Sequence, residues 1–259
     1  MKVAMLGSGS GGNASYVEEN GYGILIDAGF SCKKIEERLA SIGKSAENIK
    51  ALLITHEHTD HISGAGILAR KYNLPIYISP ESLEVCRQKL GKIAEDQIHC
   101  IQKDFFLNEN IYVKPFDVMH DAVRTLGFHI ETASQKKLAI STDIGYITNL
   151  VREAFQDVDV AILESNYDYN MLMNCSYPWD LKARVKGRNG HLSNNDAAKF
   201  IREMYTNKLQ KIFLAHVSKD SNHPNIIHDT MELEFEKYSQ KPNYEISSQN
   251  IATKLFESK

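Results

Sequence analysis

Residues 56–61 constrain this chain more than any other stretch, because the sequence HEHTDH places three imidazoles and an aspartate within six positions. The apolar run at residues 51–54 precedes them and predicts a buried strand that ends near Thr55. Imidazole and carboxylate groups are ligands of zinc, iron and manganese in hydrolytic sites. A polar loop that is merely rich in histidine is the alternative, but burying so many titratable groups without a ligand would be costly. The hexapeptide therefore predicts a metal site.

The spacing within the hexapeptide predicts two ions. His56 and His58 lie two positions apart, so their side chains can converge on one ion in an extended or tightly turned loop. Asp60 and His61 are adjacent and can face a second ion nearby. We therefore expect two divalent metal ions, and zinc, manganese and iron are all compatible with these ligands.

The bulk properties of the chain exclude several classes of protein. With 259 residues and a formal net charge of −3, it has no overall basic field, so any nucleic-acid contact must rest on a local patch. No apolar run approaches the ~20 residues of a membrane span, and the first residues are not apolar enough for a signal peptide. The scattered cysteines are typical of reduced packing thiols in a cytoplasmic protein: Cys32, Cys86, Cys100 and Cys175. We expect a cytoplasmic protein without membrane association.

The glycine-rich stretch at residues 7–13 has two interpretations. Gly7, Gly9 and Gly12 match the dinucleotide-binding pattern G-x-G-x-x-G, and Asp27 stands where a ribose-binding acid would lie. That pattern requires a helix to begin at the last glycine, whereas the residues that follow predict two strands around an Asn-Gly turn. We therefore expect a β-hairpin, with glycines that let the backbone pass close to the site or to a substrate phosphate.

The rest of the chain alternates between strand-like and helix-like runs. Ser31 predicts the start of a helix that carries Ile35 and Leu39 on its inner face and ends near Gly43. Further helices are predicted at residues 62–72 and 80–91, and further strands at residues 97–101, 111–116, 125–131 and 137–140. Because no linker interrupts this order, we expect one domain over residues 1–259, with two sheets covered by helices.

Three further polar residues follow predicted strands in the second half of the chain. They are His120, Asp143 and His216, and each comes shortly after an apolar or alternating run. Each signal alone is weak, because a polar residue after a strand is usually part of a turn. Together with the hexapeptide, the three residues complete two sets of metal ligands.

These residues together resemble the metallo-β-lactamase superfamily, whose H-x-H-x-D-H signature is highly specific and is matched here at residues 56–61. The resemblance covers nearly the whole chain and implies an α/β fold, a four-layer αββα sandwich with the metals at one edge of two mixed sheets. It implies that Asp27 supports the hexapeptide loop through hydrogen bonds. It also implies a first metal held by His56, His58 and His120, a second held by Asp60, His61 and His216, and a bridging Asp143.

Differences from other members of the superfamily indicate which group this chain resembles. Only 73 positions separate Asp143 from His216, which is too few for the cap domain of the β-CASP nucleases. Residues 181–194 are similar to the segment that supplies an extra catalytic histidine in tRNA 3′-processing and phosphodiesterase members, and here that histidine is His191. The glycine-rich start and the GHLS stretch around His191 look most like the YycJ/WalJ group. This resemblance implies a cytoplasmic bacterial exonuclease that acts on the 5′ ends of double-stranded DNA.

The resemblance also implies a mechanism. Two metals about 3.5–4 Å apart lower the pKa of a bridging water and clamp the attacking and leaving oxygens of a phosphodiester. Asp60 and Asp143 would take part in catalysis by holding the ions that carry this hydroxide nucleophile. His191 is the candidate general acid, because an imidazole can protonate a leaving oxygen near neutral pH. An exposed loop residue is the alternative for His191.

A local basic run precedes His191. In a strand, the alternating cations would form a strip on one face that suits a nucleic-acid backbone: Lys182, Arg184, Lys186 and Arg188. Ser193 can cap the next helix, whose N-terminus can receive a phosphate. A solvated edge strand or loop is the alternative for the basic run. Tyr167, Tyr169, Tyr177 and Trp179 lie upstream and could stack on bases or pack in the core.

Several functions therefore stay open at this stage. A DNA exonuclease is favoured, because the basic run suits a polyanion. An RNA-processing nuclease shares the same features. A small-molecule hydrolase, acting on a cyclic or short phosphodiester or on a thioester as glyoxalase II does, shares the metal ligands but needs no basic strip. A non-catalytic protein that retains its metals is the last alternative.

Overall fold

The computed structural model describes residues 1–259, and its strands form two sheets of seven. In chain order the strands are β1 (Lys2–Gly7), β2 (Ala14–Glu19), β3 (Tyr22–Ile26), β4 (Ile49–Leu53), β5 (Ile76–Ile78), β6 (Ile98–Cys100), β7 (Phe105–Asn108), β8 (Ile111–Val118), β9 (Thr125–Thr132), β10 (Lys137–Ser141), β11 (Val160–Glu164), β12 (Lys211–Ala215), β13 (Tyr244–Ile246) and β14 (Phe256–Glu257). The first sheet has the order β14-β1-β2-β3-β4-β5-β6, and the second has the order β13-β12-β11-β10-β9-β8-β7. Both sheets are mixed.

Helices cover the outer faces of both sheets. They are α1 (Cys32–Ser41), α2 (Thr59–Ile62), α3 (Ala65–Tyr72), α4 (Pro80–Leu90), α5 (Asn149–Ala154), α6 (Tyr169–Asn174), α7 (Trp179–Val185), α8 (Asn194–Met204) and α9 (Pro224–Phe235). None of them has the length and apolar composition needed to cross a membrane.

Three apolar clusters hold the layers together. Residues of both sheets, such as Met5 and Phe128, share one cluster between the sheets. Ile35 of α1 belongs to a cluster outside the first sheet, and Ile201 of α8 belongs to one outside the second. Alternate residues of a strand face opposite sides, so a central strand can contribute to two clusters, as β3 does through Leu25 and Ile26. The four-layer αββα sandwich is confirmed.

The N-terminal hairpin forms as its turn chemistry predicts. Strands β2 and β3 pair antiparallel around Asn20 and Gly21, which both have positive φ angles, 50° and 82°. Two such residues in succession are typical of a type I′ turn, which matches the twist of the strands. A strand and not a helix therefore follows the glycine-rich stretch, as expected from the sequence.

Some elements differ from the sequence-based prediction. The helix predicted at residues 62–72 begins later, at Ala65, as α3, and the short helix α2 precedes it. Between the two helices, the backbone at Gly64 passes the carbonyl of Phe30 so closely that a Cβ atom would lie 2.1 Å from it. Strand β7 was not predicted. It pairs antiparallel with β8 and forms the edge of the second sheet.

The strand directions bring the chemically important residues to one edge. Strands β3 to β6 run parallel in the first sheet, and β10 to β13 run parallel in the second. Parallel strands end on the same side of a sheet, so the residues that follow β3, β4, β10, β11 and β12 meet there, where α/β proteins commonly place their sites.

Candidate metal centre

Three residues of the centre turn sharply away from the strands that precede them. Asp27 follows β3, Asp143 lies two residues after β10, and His216 follows β12. Their φ angles are 61°, 55° and 54°, in the left-handed region that residues other than glycine rarely adopt. Such conformations cluster at functional sites, where the surrounding structure holds them in place.

The structure brings the predicted ligands together in overlapping groups. The donor atoms of His56, His58 and His120 all lie within 4.8 Å of one another, and so do those of Asp60, His61 and His216. Asp143 lies between the two groups. Its Oδ2 is 3.0 Å from His61 Nε2, and its Oδ1 is 3.5 Å from His120 Nε2.

Hydrogen bonds orient the imidazoles that follow the first sheet. His61 Nδ1 lies 2.8 Å from Asp27 Oδ2, so its Nε2 faces Asp143. Asp27 also accepts hydrogen bonds from the amide and the hydroxyl of Thr55, both at 2.8 Å. The Thr55 hydroxyl lies 3.0 Å from His56 Nδ1. A partner on one ring nitrogen directs the other towards the centre, as is usual for metal-binding histidines.

A second acid, Glu164, orients the imidazoles that follow the second sheet. Its Oε1 lies 2.6 Å from His216 Nδ1 and 2.9 Å from His191 Nδ1. Its Oε2 accepts hydrogen bonds from the amides of Ile144 and Leu192. Burial raises the pKa of this carboxyl, but His191 and His216 outweigh burial and lower it to about 2. Sequence reasoning missed Glu164. The available signal was an acid at the end of an apolar run, the same signal that identified Asp143.

The donor atoms fit a divalent cation. The rings of His56 and His216 are buried, and Nε2 of each makes no hydrogen bond within the protein. Most buried polar atoms have a partner, so these two unpartnered nitrogens fit the role of metal ligands. Neutral imidazole nitrogen is a common ligand of transition metals.

The charges at the centre also favour cations. Burial raises the pKa of Asp143, but His216 and His61 outweigh burial and hold it well below the usual range. Burial and the neighbouring His61 lower the pKa of His56 well below its usual value. Asp143 in its ionised form and His56 in its neutral form are both suitable metal donors. Burial lowers the pKa of His61 and His216, but Asp143 and neighbouring carboxylates outweigh burial and raise it, so these two rings would release a proton on binding a metal.

The glycine-rich stretch contributes to the centre through Asn13. The amide nitrogen of this side chain lies 3.1 Å from His61 Nε2 and 3.4 Å from Asp60 Oδ2. Ser8 donates to Asn13 Oδ1 and accepts from the backbone amide of His216. Sequence reasoning identified the close approach of this loop but not these two side chains.

The metal centre opens into a cleft of about 270 Å³. His191 lies in its wall, with a side chain that is 18% exposed. The cleft is lined by Ser10, His58, Asp60, His120, Asp143, Asn166, Tyr177, Leu181, Arg184, Val185, His191, His216, Ser218 and Ser221.

The predicted basic strand is wrong, because residues 179–185 form helix α7. Leu181 and Val185 lie four residues apart and pack inwards as one helical face, which decides against a strand. Lys182 is buried and donates to the carbonyl of Met173, so it cannot reach a substrate. Among the four cations, only Arg184 lines the cleft.

The other residues that were predicted to contact a substrate do not line the cleft. Lys186 approaches the ring of Trp179 and Arg188 that of Tyr146. Ser193 caps α8, and its hydroxyl accepts from the amide of Asp196 and donates to that residue's carboxylate. This hydroxyl is therefore committed to the start of the helix.

The upstream aromatic residues separate into different environments. Tyr167 is buried, so core packing is the better description of its role. Tyr177 lines the cleft and donates a hydrogen bond to Asp220. Tyr169 and Trp179 are exposed.

Comparison with known proteins agrees with this geometry. A family model described as the β-lactamase superfamily domain matches residues 22–216. The exodeoxyribonuclease WalJ of Streptococcus pneumoniae is 37% identical over 236 residues, which cover 89% of this chain and 86% of that protein. The exodeoxyribonuclease YycJ of Bacillus anthracis is 36% identical and covers 86% of this chain and 84% of that protein. The metallo-β-lactamase fold protein YhfI from Bacillus subtilis shares the fold, with a TM-score of 0.72 at 16% identity over 97% of this chain and 98% of that chain.

Proposed function

We propose that this chain, which belongs to the β-lactamase superfamily, is a metal-dependent exonuclease. In this proposal it degrades double-stranded DNA from the 5′ end. The observation that carries the proposal is that five of the seven predicted metal ligands line one cleft together with His191. The two exodeoxyribonucleases at 36–37% identity over most of the chain support DNA as the substrate. Cleavage polarity and location in the cytoplasm stay predictions from the resemblance.

We assign the metal ligands to two sites. His56, His58 and His120 would hold one ion, Asp60, His61 and His216 would hold the other, and Asp143 would serve both. Two bound divalent cations supply Lewis-acid activation of water and of the phosphodiester. Zinc, manganese and iron stay equally compatible with these donors.

We propose that His191 donates a proton to the leaving oxygen. Its Nδ1 is bonded to Glu164, so Nε2 is the ring nitrogen that remains for a substrate in the cleft. A general acid must lie within hydrogen-bond reach of the atom that it protonates and must keep one orientation. The buried Glu164 carboxylate provides that orientation, as a carboxylate does for histidine in other hydrolytic sites.

The test is degradation of duplex DNA labelled at either the 5′ or the 3′ end, with protein loaded with Mn²⁺ or Zn²⁺. We expect rapid release of the 5′ label as mononucleotide and a loss of rate on the order of 10²–10⁴-fold in His191→Ala. His228→Ala is the matched control, because His228 is exposed on α9 and outside the cleft lining.

Three outcomes would contradict the proposal. Hydrolysis of bis(p-nitrophenyl) phosphate without degradation of any DNA or RNA would indicate a small-molecule phosphodiesterase. Metal binding without turnover of either kind of substrate would indicate a non-catalytic protein. Preferential degradation of single-stranded RNA would indicate an RNA-processing nuclease.

A further inference from the structure

Arg184 is the only lysine or arginine among the residues that line the cleft. It lies near the end of α7, and its side chain is 57% exposed. The metal ligands and hydroxyl-bearing residues make up most of the remaining lining. A single cation at the mouth of an otherwise anionic and neutral cleft is a position where a phosphate can be recognised.

Asp121 holds Arg184 in this position. Arg184 Nε donates to Asp121 Oδ2, while Asp121 Oδ1 lies 3.2 Å from His120 Nε2. One carboxylate therefore separates the guanidinium from a metal ligand. The two terminal nitrogens of Arg184 make no hydrogen bond within the protein, so a pair of donors is available on a side chain that lines the cleft. Such a pair matches two oxygens of one phosphate.

We propose that Arg184 binds the phosphate that flanks the scissile phosphate of the bound DNA strand. This inference rests on the proposed function and adds a residue that sets the position of the strand. The scissile phosphate must lie at the metal ligands. The Asp121 carboxylate lies between Arg184 and the nearest of these ligands, His120, so Arg184 would contact a phosphate next to the scissile one. The contact is with the backbone, so it positions DNA of any sequence.

The neighbouring cations do not share this role. Lys182 is buried against the carbonyl of Met173, and Lys186 and Arg188 lie outside the cleft lining. The exposed pair of Arg87 and Glu95, at α4, resembles the pair of Arg184 and Asp121 in its chemistry but is also outside the lining. Arg87→Gln is therefore a matched control for Arg184→Gln, with the same change in net charge.

The test combines these variants with duplexes in which one phosphate at a time is replaced by an uncharged methylphosphonate. For the unmodified protein, we expect one position next to the cleavage site to raise KM on the order of 10-fold, as loss of one charged hydrogen-bonded contact would. Arg184→Gln should raise KM similarly on unmodified DNA and should be insensitive to that same methylphosphonate. Arg184→Lys should be intermediate, because it keeps the charge but loses the paired donors.

Binding supplies a readout that is independent of turnover. In metal-loaded protein that also carries His191→Ala, fluorescence anisotropy should show that Arg184→Gln reduces the slope of log Kd against log salt by about 0.9, the value for one duplex phosphate contact. Arg87→Gln should leave this slope unchanged. Equal metal content in all variants, from elemental analysis, excludes an indirect effect through His120.

The outcomes separate this inference from the proposed function. If the unmodified protein degrades DNA but Arg184→Gln keeps the same methylphosphonate profile and salt slope, the inference is wrong and the proposed function stands. If the unmodified protein degrades no DNA, both are wrong, because no flanking phosphate then needs a contact.

Discussion

Two buried acids, one at the edge of each sheet, support the metal centre in different ways. Asp27 follows β3 and accepts hydrogen bonds from Thr55 and His61, so it contacts only the loop of metal ligands. Glu164 ends β11 and contacts both the proposed metal ligand His216 and the proposed acid His191. Asp27 therefore orients only proposed metal ligands, whereas Glu164 orients a proposed metal ligand and also the proposed proton donor.

The largest expected difference between the two edges comes from removing each acid's charge. Glu164→Gln should lower kcat/KM on the order of 10³-fold, because an amide cannot accept from both imidazoles and from the two backbone amides that face Glu164. Asp27→Asn should mainly weaken metal binding, about 10–100-fold, as loss of an outer partner of a ligand does. Steady-state kinetics at saturating metal, together with metal titration, measures both effects.

Combining variants sharpens this comparison. In the His191→Ala background, Glu164→Gln should cost less activity than it does alone, because His191, one of its two imidazole partners, is already missing. Asp27→Asn should cost the same in both backgrounds. Equal losses of activity and of metal affinity in the two single variants would show that the edges do not differ.

Two glycines provide a smaller and purely steric comparison. A Cβ atom on Gly29 would lie 1.6 Å from the carbonyl oxygen of Asp60, and one on Gly145 would lie 2.0 Å from that of Arg188. Gly29→Ala should displace the hexapeptide loop and reduce metal content. Gly145→Ala should displace the segment before His191, lower kcat and leave metal content unchanged. Each change should also lower stability by about 1–3 kcal/mol.

Elemental analysis and kinetics on the two alanine variants measure this prediction. Gly21→Ala is a control for general backbone strain, because nothing lies within 4 Å of its added Cβ while its φ of 82° disfavours alanine. If Gly145→Ala loses metal as readily as Gly29→Ala, the prediction that only Gly29→Ala reduces metal content is wrong.

The smallest expected effect concerns a buried carboxylate that has no metal ligand as a partner. Burial raises the pKa of Glu18, but hydrogen bonds from Lys44 and Tyr16 outweigh burial and lower it. A lowered folded-state pKa contributes stability above the unfolded value of 4.5, and this stability is lost as the pH falls through the folded value. Glu18→Gln should therefore lower the free energy of unfolding by about 1–3 kcal/mol at pH 7.

Denaturant unfolding from pH 7 to pH 3 measures this prediction. The difference between Glu18→Gln and the unmodified protein should shrink below about pH 4.5 and should not respond to added metal. A difference that is constant with pH would show that packing, and not the charge of Glu18, accounts for it.

Most of the fold followed from local signals. The hairpin at Asn20 and Gly21, the helix that begins after Ser31 and the strand before the hexapeptide all formed where turn residues, caps and apolar runs predicted them. Strand β7 was missed because it is short and partly exposed, so its apolar residues show no burial pattern. Helix α7 was mistaken for a strand because its alternating cations suggested a period of two, while the decisive contacts of Leu181 and Val185 lie in the tertiary structure.

The sequence by itself determined which residues are candidate metal ligands, because six consecutive residues carry most of the proposed donors and a strand end can present them without help from distant segments. The ligands after β10 and β12 were also identifiable, since each is polar and follows an apolar run. Only the tertiary structure decided which acid orients His191 and which cation reaches the cleft. Glu164 and Arg184 acquire their partners from segments tens of residues away, and pairing over such distances depends on how the sheet edges pack.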